Sequence, residues 1–231
     1  MTTIKQVAAV IPAAGIGRRM QSECPKQYLQ LGQKTVLEWT VQALCQDPRI
    51  SHIYIATSND DPYFSAQQFK VKQPIVRVQG GATRAASVAA GVQAAIADGF
   101  SWVAVHDAAR PCLTAAELTA VLDAALSDPV GALLALPVAD TLKRSEAGQR
   151  SSGSVCREQL WQAQTPQVFP AAELQRGWQL LGTDHPDLTD EASVMEALGL
   201  QPQLVVGRRS NLKITQPGDE AIARLIVLDK E

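Results

Sequence analysis

The sequence predicts a three-layer α/β/α sandwich around a mostly parallel, twisted sheet. Three observations support this: short continuous apolar runs recur along the chain, helical patterns separate them, and turns bearing glycine or aspartate follow several of the runs. Continuous rather than alternating apolar runs are what strands covered on both faces require. The first strand is Val7-Ala8-Ala9-Val10-Ile11, ended by Pro12. The next are Ile53-Tyr54-Ile55-Ala56, Ile75-Val76-Arg77-Val78, Trp102-Val103-Ala104-Val105 and Gly131-Ala132-Leu133-Leu134-Ala135-Leu136.

Helices fall between them. Thr35 with Glu38, and Thr114 with Glu117, have the spacing in which a hydroxyl and a carboxylate cap a helix start reciprocally. Leu37, Val41 and Leu44, and likewise Leu118, Val121, Leu122 and Ala125, then supply apolar stripes. Thr83 opens another helix, with Val88, Val92 and Ile96 on one face. Residues 138–157 do not fit the core. Two short extended pieces flank the polar turn Gly148-Gln149-Arg150-Ser151-Ser152-Gly153, with too few apolar residues to pack inside, and predict a protruding β-arm; a disordered surface loop is the competing reading.

At 231 residues, 46% of them hydrophobic, the chain suffices for one substantial domain that buries roughly 70–75% of its unfolded surface. Residues 1–231 are accordingly read as a single unit. A net charge of −2 argues against a general nucleic-acid or anionic-membrane surface, which needs a basic field over a whole face. Cations cluster locally instead, at Arg18, Arg19 and Lys26 and again at Arg208, Arg209 and Lys213. That suits a small anionic ligand, or ordinary solvated charge. Cys24, Cys45, Cys112 and Cys156 are scattered, with no close pair and no histidine at ligand spacing, so neither a zinc site nor a disulfide framework is expected. The polar start leads directly into a strand without a long apolar segment, so a cytoplasmic location without membrane association is expected.

The strongest chemical signal follows the first strand: Pro12-Ala13-Ala14-Gly15-Ile16-Gly17-Arg18-Arg19-Met20, then Cys24-Pro25-Lys26-Gln27-Tyr28. Gly15 and Gly17 offer backbone freedom that lets N–H groups converge on an anion, and Arg19 and Lys26 add full positive charge, which suits nucleotidyl transfer. A dinucleotide fold wants a third glycine where Met20 stands, and the nucleotide-hydrolase Gly-Lys-Ser/Thr is absent. The segment Gly80-Gly81-Ala82-Thr83-Arg84-Ala85-Ala86-Ser87 places small residues at a helix start, where a nucleobase could be read by free N–H groups or Thr83 could simply cap the helix. In His106-Asp107-Ala108-Ala109-Arg110-Pro111, the Asp107 carboxylate could hold magnesium or sugar hydroxyls, and Arg110 could bind substrate or orient Asp107. His106 is given no catalytic role. Lys213, between Leu212 and Ile214 in a strand-like segment, points away from both and needs an anion or water.

Taken together, Pro-Ala-Ala-Gly-x-Gly-Arg-Arg-Met, Cys-Pro-Lys-Gln-Tyr, His-Asp-Ala-Ala-Arg-Pro, Asp-Thr-x-Lys, Thr-Pro-Gln, Thr-Asp-Glu-Ala-Ser and Asn-x-Lys-x-Thr resemble the 2-C-methyl-D-erythritol 4-phosphate cytidylyltransferase family. The resemblance runs from about residue 7 to 228. It implies a Rossmann-like nucleotidyltransferase fold and a homodimer formed through the 138–157 arm. The implied reaction joins CTP to methylerythritol phosphate with release of pyrophosphate, with magnesium (or another divalent cation) on the nucleotide phosphates. By resemblance, Arg19, Lys26 and Lys213 are the catalytic cations. Pro12, Ala13, Ala14, Gly15, Gly17, Gly81 and Ser87 surround the nucleotide. Asp107, Arg110, Thr165 and Thr189 bind the acceptor, Asp107 also being the candidate metal ligand, and Thr141 and Arg157 reach the neighbouring subunit's acceptor site. The chain departs from relatives at Ala82, Thr83 and Ala86, where acids are often found, which leaves ribose and base contacts open. A cytidylyltransferase for another polyol phosphate, such as ribitol 5-phosphate, and a non-catalytic nucleotide-binding regulator are the alternatives.

Overall fold

The structure is a computed structural model describing residues 5–15, 24–146 and 148–229. Its centre is a seven-stranded sheet built from β1 (Val7–Pro12), β4 (Ile50–Thr57), β5 (Ile75–Gln79), β6 (Trp102–Val105), β7 (Ala132–Pro137), β10 (Trp161–Pro170) and β11 (Gln203–Val206). The strand order is β11-β7-β10-β6-β1-β4-β5. Every pairing is parallel except those of β10, which runs antiparallel to both β6 and β7. The expected mostly parallel sheet is therefore correct, with one inverted strand that the sequence reading did not place. Thr165-Pro166-Gln167 lies inside β10 where its register with β7 shifts between Ala163 and Gln167. Such an irregularity tolerates a residue that cannot donate to the ladder.

Two helical layers cover the sheet. α1 (Val36–Leu44) and α3 (Ala115–Ser127) lie on one face, where Leu37, Val41, Leu118 and Leu122 pack with Val7, Ala9 and Ile11. On the other face are α2 (Arg84–Ala97), α4 (Ala171–Leu181) and α5 (Glu191–Ala197), whose Val88, Val92, Leu174 and Val194 pack with Ala8 and Val10. Successive residues of β1 thus feed opposite cores, which is why that run is apolar throughout. Each fully buried aliphatic side chain contributes on the order of 1.5–3 kcal/mol. A third cluster packs α6 (Asp219–Leu228), through Ala223 and Val227, against Trp39, Val36 and the small pair β2 (Gln30–Leu31) and β3 (Lys34–Thr35).

Both expected capping boxes are present, at Thr35 with Glu38 and at Thr114 with Glu117, and the Thr83 side chain accepts from Ala86 N–H at the start of α2. The arm is a hairpin of β8 (Leu142–Glu146) and β9 (Arg150–Val155), which among the described residues pair only with each other and are almost wholly exposed. The strand-like reading of 211–215 is corrected: this is a loop outside any strand, docked by the Ile214 N–H donating to Ala109 O at 2.9 Å. Among the described residues no helix is long and apolar enough to cross a membrane.

The chain runs from β1 to β4 and β5 on one side, then returns to place β6 on the other side of β1. In open parallel sheets, ligands bind beyond the carboxyl ends of the strands at such a reversal. The segments following β1, β5 and β6 are 13–15, 80–83 and 106–110, the three turns singled out in the sequence.

Candidate active site

A cavity of about 320 Å³ lies at this point, lined by residues 12–15, Lys26, Gln27, Gly81, Ala82, Thr83, Arg84, Ser87, 107–109 and Lys213. It sits at the lower end of the size range for small-molecule sites. Its lining includes Pro12, Ala13, Ala14, Gly15, Gly81 and Ser87 from the expected nucleotide set, Asp107 from the acceptor set, and the cations Lys26 and Lys213. Gly17 and Arg19 lie outside the described residues. Arg110, Thr165 and Thr189 do not line the cavity, and neither do the arm residues Thr141 and Arg157. Arg157 donates from Nη1 to the Ala139 carbonyl at the base of the arm.

One wall is backbone and small side chains. Ala13 N–H donates to Ala56 O at 2.7 Å and Gly80 N–H to Thr57 O at 2.7 Å, tying both loops to β4. Gly81 N–H donates to Ser87 Oγ at 3.1 Å, folding the second loop onto the first turn of α2. A Cβ on Gly80 would stand 2.7 Å from Ala14 Cβ, and one on Gly81 would stand 2.4 Å from Ala86 Cβ, so these glycines answer to space. Gly15 corrects the conformational argument made for it: its φ is not positive, and no atom lies within 4 Å of where its Cβ would stand. The buried Gln27, to which the sequence reading gave no role, donates from Nε2 to Ala13 O at 2.7 Å and Gly15 O at 3.0 Å, clamping the first loop from beneath.

The other wall is charged. Asp107 Oδ2 lies 2.8 Å from Lys213 Nζ and 3.4 Å from Arg110 Nε, while Oδ1 lies 3.2 Å from Arg84 Nε. Arg84 also forks onto Glu191, Nη1 to Oε1 at 2.7 Å and Nη2 to Oε2 at 3.1 Å. Burial works to raise the Asp107 pKa, but Arg84, Lys213 and Arg110 outweigh it and hold the carboxyl well below the usual carboxylate range. Burial pushes the Glu191 carboxyl up, with Arg84 opposing it. Lys26 Nζ donates to Ile214 O at 2.8 Å, which joins the first loop to the 211–215 loop carrying Lys213. Arg110 in turn donates from Nη1 to Asn211 O at 2.6 Å.

Asp107 does not suit a divalent cation. Both its oxygens already face cationic side chains, and among the described residues no three His, Cys, Asp or Glu side chains gather as ligands. A metal ion there would add a fourth positive centre to the three cations around one carboxylate.

His106, fully buried, fixes the loop that carries Asp107. Its Nε2 faces the Arg110 carbonyl at 3.1 Å, which can only accept, so Nε2 carries the proton and Nδ1 accepts from Thr165 Oγ1 at 2.9 Å. Thr165 Oγ1 in turn accepts from Asp107 N–H at 3.1 Å. Burial lowers the His106 pKa to about 4, so the ring is neutral at physiological pH. The Thr165 hydroxyl spends its one proton on His106 and acts on the site through the Asp107 backbone. Arg84, Glu191 and Gln27 all lie within short sequence motifs, but no local pattern shows that Arg84 and Glu191, or Gln27 and the 13–15 backbone, meet.

A Rossmann-like α/β sheet with a backbone-walled, lysine-bearing cavity at its switch point is the architecture of a nucleotidyl-transferring enzyme. The family model for 2-C-methyl-D-erythritol 4-phosphate cytidylyltransferase matches residues 7–229, and the chain belongs to that family. A Vibrio cholerae protein of that name is 46% identical, with 95% of each chain covered, and a Cronobacter sakazakii one is 48% identical, covering 94% of this chain and 92% of the relative. Among solved structures, a 4-diphosphocytidyl-2C-methyl-D-erythritol synthase superposes with a TM-score of 0.84 at 38% identity, covering 96% of this chain and 99% of the other. The Thermus thermophilus cytidylyltransferase superposes with a TM-score of 0.79 at 34% identity, with the same coverage.

Proposed function

We propose that this protein transfers a cytidylyl group from CTP to 2-C-methyl-D-erythritol 4-phosphate in the non-mevalonate isoprenoid pathway, through the site just described. The observation that carries the site assignment is the convergence of Lys26 and Lys213, from opposite ends of the chain, on one cavity with a wall of small residues. In this reading an acceptor phosphate oxygen bonds to the α-phosphorus of CTP. The bond from that phosphorus to the α,β-bridging oxygen breaks, and pyrophosphate leaves with the electron pair. The attacking oxygen is already anionic, so no general base is required. Lys26 and Lys213, with Arg19, stabilise the charge that builds on the five-coordinate phosphorus.

The 12–15 and 80–87 segments form the nucleotide side, with Gly17 assigned there by its place in the motif. Ala82, Thr83 and Ala86 carry no acid, so cytosine and ribose are met here by backbone groups and Ser87. Asp107 and Arg110 serve the acceptor, Thr165 supports them from beneath, and Thr189 stands two residues before Glu191 at the start of α5. Magnesium enters only as the counter-ion of the CTP triphosphate, and no protein ligand is assigned to it.

Residues 1–231 act as one catalytic domain, with 138–157 as the arm of a homodimer that brings Thr141 and Arg157 to the neighbouring acceptor site. Exposed Leu160 and Trp161 at the foot of the arm, and exposed Leu204 and Val206 on the edge strand β11, support such an interface. The test is pyrophosphate release with CTP and either methylerythritol phosphate or ribitol 5-phosphate. Turnover with the first and little with the second is expected; turnover with ribitol 5-phosphate alone would transfer the assignment to the other acceptor.

A further inference from the structure

Behind the charged wall lies a carboxylate that the reaction above does not use. Glu191, the first residue of α5, has 1% of its side chain exposed, and both its oxygens are taken by the Arg84 fork. The Nε of the same guanidinium reaches Asp107. One arginine therefore spans two buried carboxylates on different elements. Each carboxylate is costly to bury unpaired, and the planar guanidinium fixes their relative placement in a way that a lysine point charge cannot.

The two walls of the cavity depend on this fork unequally. The nucleotide wall is tied to β4 by Ala13 and Gly80, folded by Gly81 onto Ser87, and clamped by Gln27, all without the Arg84 guanidinium. The Asp107 carboxylate is held only by cations among the described side chains, and Arg84 holds the oxygen that Lys213 and Arg110 do not. Three cations against two carboxylates leave this cluster one unit positive, a suitable poise for a phosphate.

We propose that Glu191, acting through Arg84, is a positioning residue for the acceptor half of the site: it draws the guanidinium onto Asp107 Oδ1, so that Oδ2 is turned to Lys213 and holds that ammonium at the edge of the cavity. Without the Glu191 charge, Arg84 competes with Lys213 for Asp107 and the lysine loses its fixed position. This rests on the assignment of Asp107 and Lys213 made above.

The test compares Glu191→Gln, Arg84→Met and the double variant in the full-length protein. The readouts are kcat/KM for methylerythritol phosphate and the Kd for CTP by calorimetry, with rates counted per CTP-binding site so that loss of folded protein does not register. Glu191→Gln is expected to lower acceptor kcat/KM at least about tenfold while CTP affinity stays within about twofold. Adding it to Arg84→Met should cost less than a further twofold, because the two act as one unit. Equal losses for both substrates, or effects that multiply, would overturn the positioning role. If Glu191→Gln does not accumulate folded, Arg84→Lys keeps the charge without the fork, and unchanged acceptor kinetics there would also overturn it. A wild-type protein inactive on methylerythritol phosphate would overturn the functional assignment and this extension with it; an active wild type with unaffected variants overturns the positioning role alone.

Discussion

The two walls of the cavity are built on opposite plans. The nucleotide wall consists of two short segments, 12–15 and 80–87 apart from the Arg84 side chain, shaped by glycine and alanine and held by main-chain bonds to a neighbouring strand. The charged wall presents Arg84, Asp107 and Lys213 to the cavity, with Arg110 and Glu191 behind them; the five come from four places in the chain and are held by side-chain pairing. A wall of backbone recognises by shape and by fixed donors, and needs space kept clear. A wall of charge stabilises a changing anion, and needs its cations held in place before the ligand arrives.

If the charged wall performs the chemistry, the largest loss follows from removing a cation that faces the cavity. Lys213→Ala and Lys26→Ala should each lower kcat by about 10²–10³-fold, as expected for one preorganised charge stabiliser. Steady-state pyrophosphate release measures this, with circular dichroism to verify the fold. Near-normal turnover in either variant would move the chemistry away from this wall.

Support for the charged wall from beneath gives a smaller and pH-dependent effect. The ordinary His106 pKa of 6.5 is lowered to about 4 by burial in the fold, so between those values the unfolded chain binds the proton and the native protein does not. Stability from this group is therefore fully present above about pH 6.5 and is lost as pH falls toward 4, by roughly 2–3 kcal/mol. Urea unfolding at pH 7 and pH 4.5 should show a steeper acid loss in the wild type than in His106→Asn; parallel losses would mean that His106 does not stay neutral in the Asp107 loop.

The same contrast explains what was legible in the sequence. Helices α1, α2 and α3 were readable because Thr35, Thr83 and Thr114 write their starts locally, β1, β4, β6 and β7 because a strand buried on both faces reads as an apolar run, and the half-exposed edge strand β5 because Ile75, Val76 and Val78 flank its single arginine. Helices α4 and α6 begin at Pro170 and Gly218 without a side-chain cap, so that signal is missing. Strand β10 was hidden by Pro166, which its irregular register with β7 accommodates. The nucleotide wall could be read from adjacent glycines, whereas the Arg84–Glu191 contact depends on two helix starts, 107 residues apart, meeting beside β6. No local pattern records such a meeting; only the family's motifs, taken together, pointed to Lys213 as the partner of Lys26.

The division of labour between the walls is tested most directly by KM for each substrate in Gly81→Ala and Thr189→Ala. A Cβ at position 81 would stand 2.4 Å from Ala86 Cβ and must displace its loop, whereas Thr189, which the proposed function assigns to the acceptor, is exposed. The account predicts a crossed pattern. Gly81→Ala should raise the CTP KM about tenfold, roughly 1.4 kcal/mol, with the acceptor KM within about twofold, and Thr189→Ala should do the reverse. If either variant shifts both constants together, the two walls are not separate and the account is contradicted.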